Sequence, residues 1–201
     1  MKPFTSLTAR VAVLDRSDVD TDQIIPKQFL KSIRRTGYED ALFYDWRYDA
    51  DGRPIDGFEL NRPEFAGAQV LVTGRNFGCG SSREHAAWAL SDFGFRVVIA
   101  PSFGDIFRTN ASKNGMVIVE LPDEDVKRLM EGVDLDQGSK VTVDLERRVV
   151  VGPTGEELPF AIDEAIRERL LHGLDDIALT LQHEDAIAAF EAARGDAAPA
   201  V

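Results

Sequence analysis

Thiols are almost missing: Cys79 is the single cysteine among 201 residues. No disulfide can form within the chain, and no metal site built mainly from its own thiolates can exist. Basic charge is in deficit too, with 23 Lys and Arg against 35 Asp and Glu and a formal net charge of -12. That balance argues against a nucleic-acid backbone or an anionic membrane as the main partner. It leaves room for a small anion, because a few local arginines can dominate the potential in a cleft. No stretch approaches the ~20 consecutive apolar residues of a membrane span. Met1 to Ser6 is not followed by an uninterrupted apolar signal core, since Arg10 and Asp15 come too soon. Repeats and low complexity are lacking apart from the Ala-rich stretch 196–201, which reads as a frayed tail. One free thiol without an export signal is expected of a protein of the reducing cytoplasm.

What is present is globular in kind, 44% hydrophobic and 29% charged, and is expected to form one domain over residues 1–195. Leu7 to Leu14 alternates as a strand and is followed by the polar run 15–22, whose Asp, Ser and Thr side chains bond nearby backbone and so form an ordered turn. The middle of the chain is the clearest. Gln69 to Thr73, Arg96 to Ala100 and Met116 to Leu121 are short, mostly apolar runs of the buried-strand type. Between them stand helical patterns over about Arg83 to Phe93 and Asp105 to Asn114. That alternation predicts an α/β fold of βαβ units around a mixed, mostly parallel sheet. Asp123 is placed to cap a helix running to Glu131 and ended by Gly132, and Val141 to Leu145 with Arg148 to Val151 reads as a closing hairpin. The last forty residues read as helices over 163–171, 176–181 and 184–193, the last packing at the domain edge through Ile187 and Phe190.

Chemistry concentrates in Gly74-Arg75-Asn76-Phe77-Gly78-Cys79-Gly80-Ser81-Ser82-Arg83-Glu84-His85-Ala86, between a strand and a helix. The glycines, Gly78 and Gly80 among them, permit sharp turning and close approach to a ligand. Ser81 and Glu84 have capping-box spacing, which would feed the loop into a helix N-terminus. Exposed amides and the positive end of the helix dipole would then surround Ser81 and Ser82, and Arg83 adds a carboxylate fork. The pattern suits an anion with a hydroxyl beside it, although a plain capped helix after a glycine turn fits GxGSS alone. A dinucleotide fingerprint fails because Arg83 stands where the third glycine belongs. A phosphate-binding Walker loop lacks its Lys-Ser/Thr pair, and a nucleophile elbow lacks a glycine after the serine. Cys79 reads as a small buried thiol in preference to a nucleophile.

Taken whole, this run resembles the active-site loop of the aconitase superfamily, whose swivelling domain carries Gly-x-Gly-Ser-Ser-Arg-Glu-His-Ala. Asp20-Thr21-Asp22-Gln23-Ile24-Ile25-Pro26 resembles the superfamily's N-terminal turn, and Pro101 to Asn110 the segment after its second strand. Within the superfamily, 26–30, 43–47 and 180–183 resemble the bacterial small-subunit family of 3-isopropylmalate dehydratases. The likeness runs over nearly the full chain.

The resemblance implies a swivelling β/β/α domain and a hydro-lyase that removes and re-adds water across a hydroxy-diacid. It implies a [4Fe–4S] cluster carried by a large partner subunit, because such a cluster needs three protein thiolates and this chain holds one cysteine. By the same match Ser81 is the base that takes a proton from the carbon next to a substrate carboxylate, while Ser82 and Arg83 bind that carboxylate. Gly78 and Gly80 shape the anion hole, and Thr21, Asp22, Glu84 and His85 support it, His85 in an orienting role. Phe29 and Leu30, with Ile33, would offer apolar surface to an isopropyl group and Arg35 or Arg34 a cation. Core packing of a short helix is the alternative for the apolar three. Arg16 stands where a carboxylate arginine of the superfamily falls, on a loose local match. A related hydro-lyase for homocitrate or methylmalate, a stand-alone anion-binding module and a metal-independent serine hydrolase remain as alternatives at this stage.

Overall fold

The computed structural model describes residues 1–31, 36–135 and 138–194. In chain order the elements are β1 (Ser6–Leu14), α1 (Thr21–Ile24), a 3-10 turn at Lys27–Lys31, α2 (Tyr44–Arg47), and two further 3-10 turns at Glu59–Asn61 and Pro63–Phe65. There follow β2 (Val70–Thr73), α3 (Glu84–Phe93), β3 (Val97–Ala100), α4 (Asp105–Lys113), β4 (Val117–Glu120) and α5 (Asp123–Leu135). The chain continues through β5 (Lys140–Asp144), β6 (Val149–Val151), β7 (Glu157–Pro159), α6 (Glu164–His172), α7 (Asp176–Leu181) and α8 (Glu184–Arg194).

The strands form one mixed sheet in the order β4-β3-β2-β1-β5-β6-β7. β1 through β4 pair in parallel, with Val11 beside Val70, Val70 beside Val97 and Val97 beside Val117. β5, β6 and β7 continue the sheet as an antiparallel meander. β1 divides itself between two neighbours: Ser6 to Arg10 pair with β5, and Val11 to Leu14 pair with β2. Its burial changes at the same place, since Val11 to Leu14 are all buried while the first five residues are mostly not. A strand shared end to end in this way curls the sheet instead of extending it flat.

Every residue of β2 and β3 is buried, which requires cover on both faces and explains their continuous Val, Leu and Ile composition. α5 lies across β1, β2 and β3, and α3 packs against α4. One core cluster reaches from Phe4 to Leu170 and takes in Phe43, Phe77, Phe95 and Phe107. The α/β architecture, the βαβ units and the boundaries of the central strands follow the sequence closely.

Four local expectations are corrected. Gly132 does not end a helix, because α5 continues through it to Leu135. A glycine inside a helix costs only ~1 kcal/mol relative to alanine, too little to stop one whose Val126, Leu129 and Val133 are buried. Asp123 is the first residue of α5 and not its cap; its carboxyl is held below the usual range mainly by the Lys127 ammonium at 2.8 Å. The closing hairpin acquires a third strand, β7. The helix expected to pack at the domain edge, α8, has no buried residue, and Phe190 is 65% exposed. Among the described residues no helix is long and apolar enough to cross a membrane. The stretch 196–201, expected to fray, lies outside the described residues.

Candidate active site

Parallel strands deliver the chain to the same edge of the sheet each time, so the connections after β1, β2 and β3 leave side by side. Here they are laced together. The middle strand of the lace is the glycine run. Asp18 N–H donates to the Arg75 carbonyl (2.9 Å) and Gly78 N–H to the Val19 carbonyl (2.7 Å) on one side. On the other, Phe77 N–H donates to the Ser102 carbonyl (3.1 Å) and Gly104 N–H to the Phe77 carbonyl (2.9 Å). Side chains repeat the stitch: Asn76 Nδ2 donates to Asp18 Oδ1 at 2.7 Å, and the Ser102 hydroxyl accepts from Asn76 N–H at 2.9 Å. Asp18 and Asn76 both hold positive φ, 57° and 58°, a conformation for which Asp and Asn are enriched among non-glycine residues. Sequence reasoning misses these clamps, and the two Asx residues bracketing the turn are the available signal.

Two glycines are required by the core itself. A Cβ on Gly78, at φ +73°, would fall 2.2 Å from Phe107 Cγ. One on Gly104 would fall 2.5 Å from the Gly78 carbonyl oxygen. The close approaches are therefore to the protein's own core, where Phe77 is fully buried and packs edge-on to Phe107 at 5.3 Å. Gly80 lies in the open, and Ser81 and Ser82 after it are exposed.

The expected capping box between Ser81 and Glu84 does not form. α3 begins at Glu84 with Arg83 as its cap residue in extended conformation and no side-chain cap bond. Ser81 is held from another direction: the Thr21 hydroxyl donates to the Ser81 carbonyl at 2.9 Å, and Thr21 N–H donates to the Cys79 carbonyl at 2.9 Å. The capping box instead stands at α1, where Asp20 accepts from Gln23 N–H and Gln23 accepts from Asp20 N–H, each at 2.8 Å. Thr21 is thereby presented as a rigid, buried donor. Among the described residues the Ser81 hydroxyl has no hydrogen-bond partner.

Arg83 and Asp22 meet at 2.5 Å between Nη1 and Oδ1, and both atoms are buried. Neither atom has a hydrogen-bond partner among the described residues, so the contact is an ion pair. Lys27 stands 4.0 Å from the other Asp22 oxygen. His85 sits edge-on to Tyr38 at 5.4 Å and 4.6 Å from Trp88, and Glu84 is exposed in the first turn of α3. Cys79 is half-buried, and its thiol is raised above its ordinary range by burial first and by the Asp20 and Asp18 carboxylates next. A thiol so placed is a weak nucleophile at neutral pH.

The structure thus brings Thr21, Asp22, Gly78, Gly80, Ser81, Ser82 and Arg83 together. Phe29 and Leu30 are half-buried against the core, and Phe29 lies 5.0 Å from the Tyr44 ring. Arg35, with Ile33 and Arg34, lies outside the described residues. Arg16 is committed elsewhere: it pairs with Glu59 at 3.1 Å and lies 4.5 Å above the Trp46 ring. A concavity of about 360 Å³ between α4, β4 and the start of α6 contains none of the loop residues. Within the serine loop Gly80, Ser81 and Ser82 are exposed, while Gly78 is buried.

Comparison with known proteins gives matches along the chain. The family model described as the aconitase C-terminal domain matches residues 1–124. The LeuD_N model matches residues 127–164, and the model for the C-terminal domain of the 3-isopropylmalate dehydratase small subunit matches residues 176–201. A 3-isopropylmalate dehydratase small subunit of Desulforapulum autotrophicum is 53% identical over 96% of this chain and 96% of its own. That of Bacillus subtilis is 52% identical over 96% and 97%. A crystal structure of 3-isopropylmalate dehydratase from Methanocaldococcus jannaschii superposes with a TM-score of 0.67 at 23% identity, covering 92% of this chain and 99% of that one. That likeness speaks to the fold.

Proposed function

The chain belongs to the small-subunit family of 3-isopropylmalate dehydratases in the aconitase superfamily, and on that premise we propose that its serine loop is one wall of a hydro-lyase active site. The enzyme interconverts 2-isopropylmalate and 3-isopropylmalate through 2-isopropylmaleate, a step of leucine biosynthesis, in the cytoplasm and only with its large subunit. The observation that carries this reading is the Ser81 hydroxyl: exposed, without a hydrogen-bond partner among the described residues, held by its own backbone from Thr21 and next but one to Arg83.

A [4Fe–4S] cluster with an open iron takes three thiolate ligands, and this chain has one cysteine. Its donors do not fit the cluster, which we place on the large subunit. What this chain supplies is proton transfer and anion binding. A serine hydroxyl is a poor base in water, so removal of the substrate proton by Ser81 Oγ requires stabilisation of the alkoxide. Fixed charge and dipoles that need no reorganisation provide that stabilisation: Arg83 on one side, and the positive end of the α3 dipole beyond it. Ser82 and Arg83 take the carboxylate adjacent to the carbon being deprotonated, and Gly78 and Gly80 shape the loop around it. His85 orients, held between Tyr38 and Trp88. Phe29 and Leu30 offer their exposed parts to the isopropyl group, and Arg35 a further cation.

The test is anaerobic co-expression with the large subunit, following 2-isopropylmaleate absorbance after addition of either isopropylmalate. Conversion that needs both chains is expected, with Ser81→Ala slower by ~10²–10⁴-fold, the usual loss for a positioned proton-transfer group. Near-normal turnover of Ser81→Ala would remove the serine from the mechanism. Activity confined to methylmalate or homocitrate would keep the mechanism and change the substrate.

A further inference from the structure

Arg83 is the fixed cation nearest the Ser81 hydroxyl in sequence, yet nothing in its own segment aims it. It occupies the cap position of α3 with an extended backbone, at φ −142° and ψ 107°, and its side chain makes no cap bond there. Its guanidinium is nevertheless largely enclosed, with 13% of the side chain exposed, against 39% for the Asp22 carboxylate that meets it. Asp22 is in turn held on a part that cannot drift. The Asp20–Gln23 capping box closes the first turn of α1, and Thr21, the neighbouring residue, is bonded to the serine loop through both its N–H and its hydroxyl. The second carboxylate oxygen of Asp22 faces Lys27.

Long cationic side chains lose rotamer freedom when they bind, and an arginine ordered beforehand has less to lose. A guanidinium has five N–H donors, so pairing with one carboxylate leaves donors for another. Resting on the functional reading above, we propose that Asp22 is a positioning residue: its carboxylate pre-orders the Arg83 guanidinium beside Ser81 and leaves part of the fork for the substrate carboxylate. Asp22 touches no reacting atom in this scheme and acts through Arg83.

The test uses the assembled two-subunit enzyme with Asp22→Asn, Asp22→Glu, Arg83→Lys and the Asp22→Asn/Arg83→Lys double variant. Misplacing a substrate-binding group costs up to ~10²-fold, and Asp22→Asn is expected to lose that order in kcat/KM, mostly through KM. Asp22→Glu should recover part of the loss. In the Arg83→Lys background the same Asp22→Asn change should cost little, because residues that act as one unit are not additive. An equal loss in both backgrounds, or wild-type kcat/KM for Asp22→Asn, would overturn the proposal. Peptide-mapped phenylglyoxal labelling of Arg83 in the substrate-free assembly supplies a readout independent of turnover and of the substrate's identity. Asp22→Asn should speed Arg83 labelling while leaving Arg16 and Arg108 unchanged, and unchanged Arg83 labelling would overturn the proposal by itself. If the wild-type assembly proved inert toward isopropylmalate while Arg83 labelling still depended on Asp22, the substrate assignment would fail and the positioning would be supported. Should Asp22→Asn not fold, Asp22→Glu carries both measurements, with Arg83 labelling faster than in wild type and KM between wild type and Arg83→Lys; wild-type values of both would overturn the proposal.

Discussion

On the parallel side of the sheet β2 and β3 are joined by residues 74–96, which include the serine loop and α3, whereas on the antiparallel side β5 and β6 are joined by residues 145–148 alone. Topology is the cause. Parallel neighbours require a crossover, and each crossover starts from the same edge, so three connections accumulate there. Antiparallel neighbours turn back at alternating edges through tight turns, and Arg148 at φ 57° belongs to one of these. One half of the sheet therefore gathers side chains from distant parts of the sequence: Asp18, Asn76 and Ser102 meet although 84 positions separate the first from the last. The other half contributes strand pairing and core. The same chain thus holds a half built to present groups and a half built to close the sheet.

The sharpest way to break this comparison is to truncate one core residue in each half. Phe77, under the serine loop, and Leu158, in β7, are both buried. Phe77→Ala should cost ~3–5 kcal/mol and Leu158→Ala ~2–5 kcal/mol in urea unfolding. The activities should then separate, with the folded Phe77 variant inactive in the assembly and the folded Leu158 variant near wild type per molecule. Equal loss of turnover per folded molecule would show that the halves are not functionally distinct. A smaller effect sharpens the boundary from within the presenting half. Thr21→Val keeps shape and removes the hydroxyl bond to Ser81, so it should cost ~0.5–1.5 kcal/mol of stability and lower kcat, with Thr21→Ser restoring both. An unchanged kcat would leave Thr21 a purely structural clamp. The smallest effect is expected far from the loop. Gly132→Ala in α5 removes a helix-interior glycine, and the new Cβ would meet the Pro153 ring at an ordinary 3.6 Å. It should add up to ~1 kcal/mol, read as a rise of roughly 2–4 °C in Tm, with kcat unchanged.

Much of this is legible in the chain. The buried strands announce themselves as runs of Val, Leu and Ile, and the helices between them as periodic segments of matching length, because burial on both faces of a parallel sheet leaves no other composition. The serine loop is legible as a pattern of residue types. Its internal logic is not. Ser81 and Glu84 stand at capping-box spacing and do not cap, since Thr21, 60 positions earlier, holds the Ser81 carbonyl. Gly78 reads as room for a ligand, and what the fold itself requires of it is room for Phe107. Ile187 and Phe190 have the spacing of a packing face, yet spacing does not say what, if anything, lies opposite.

Sequence by itself determined the class of fold, the central strand and helix order, the single thiol that leaves no donor set for a cluster, and the run of residues on which the proposed chemistry rests. These depend on composition and on contacts between near neighbours along the chain. Tertiary structure alone decided which carboxylate faces Arg83, what holds Ser81 and which face of each glycine is crowded. Each of these is a meeting of segments from different strand ends, and the register that brings them together is set by pairing across the whole sheet.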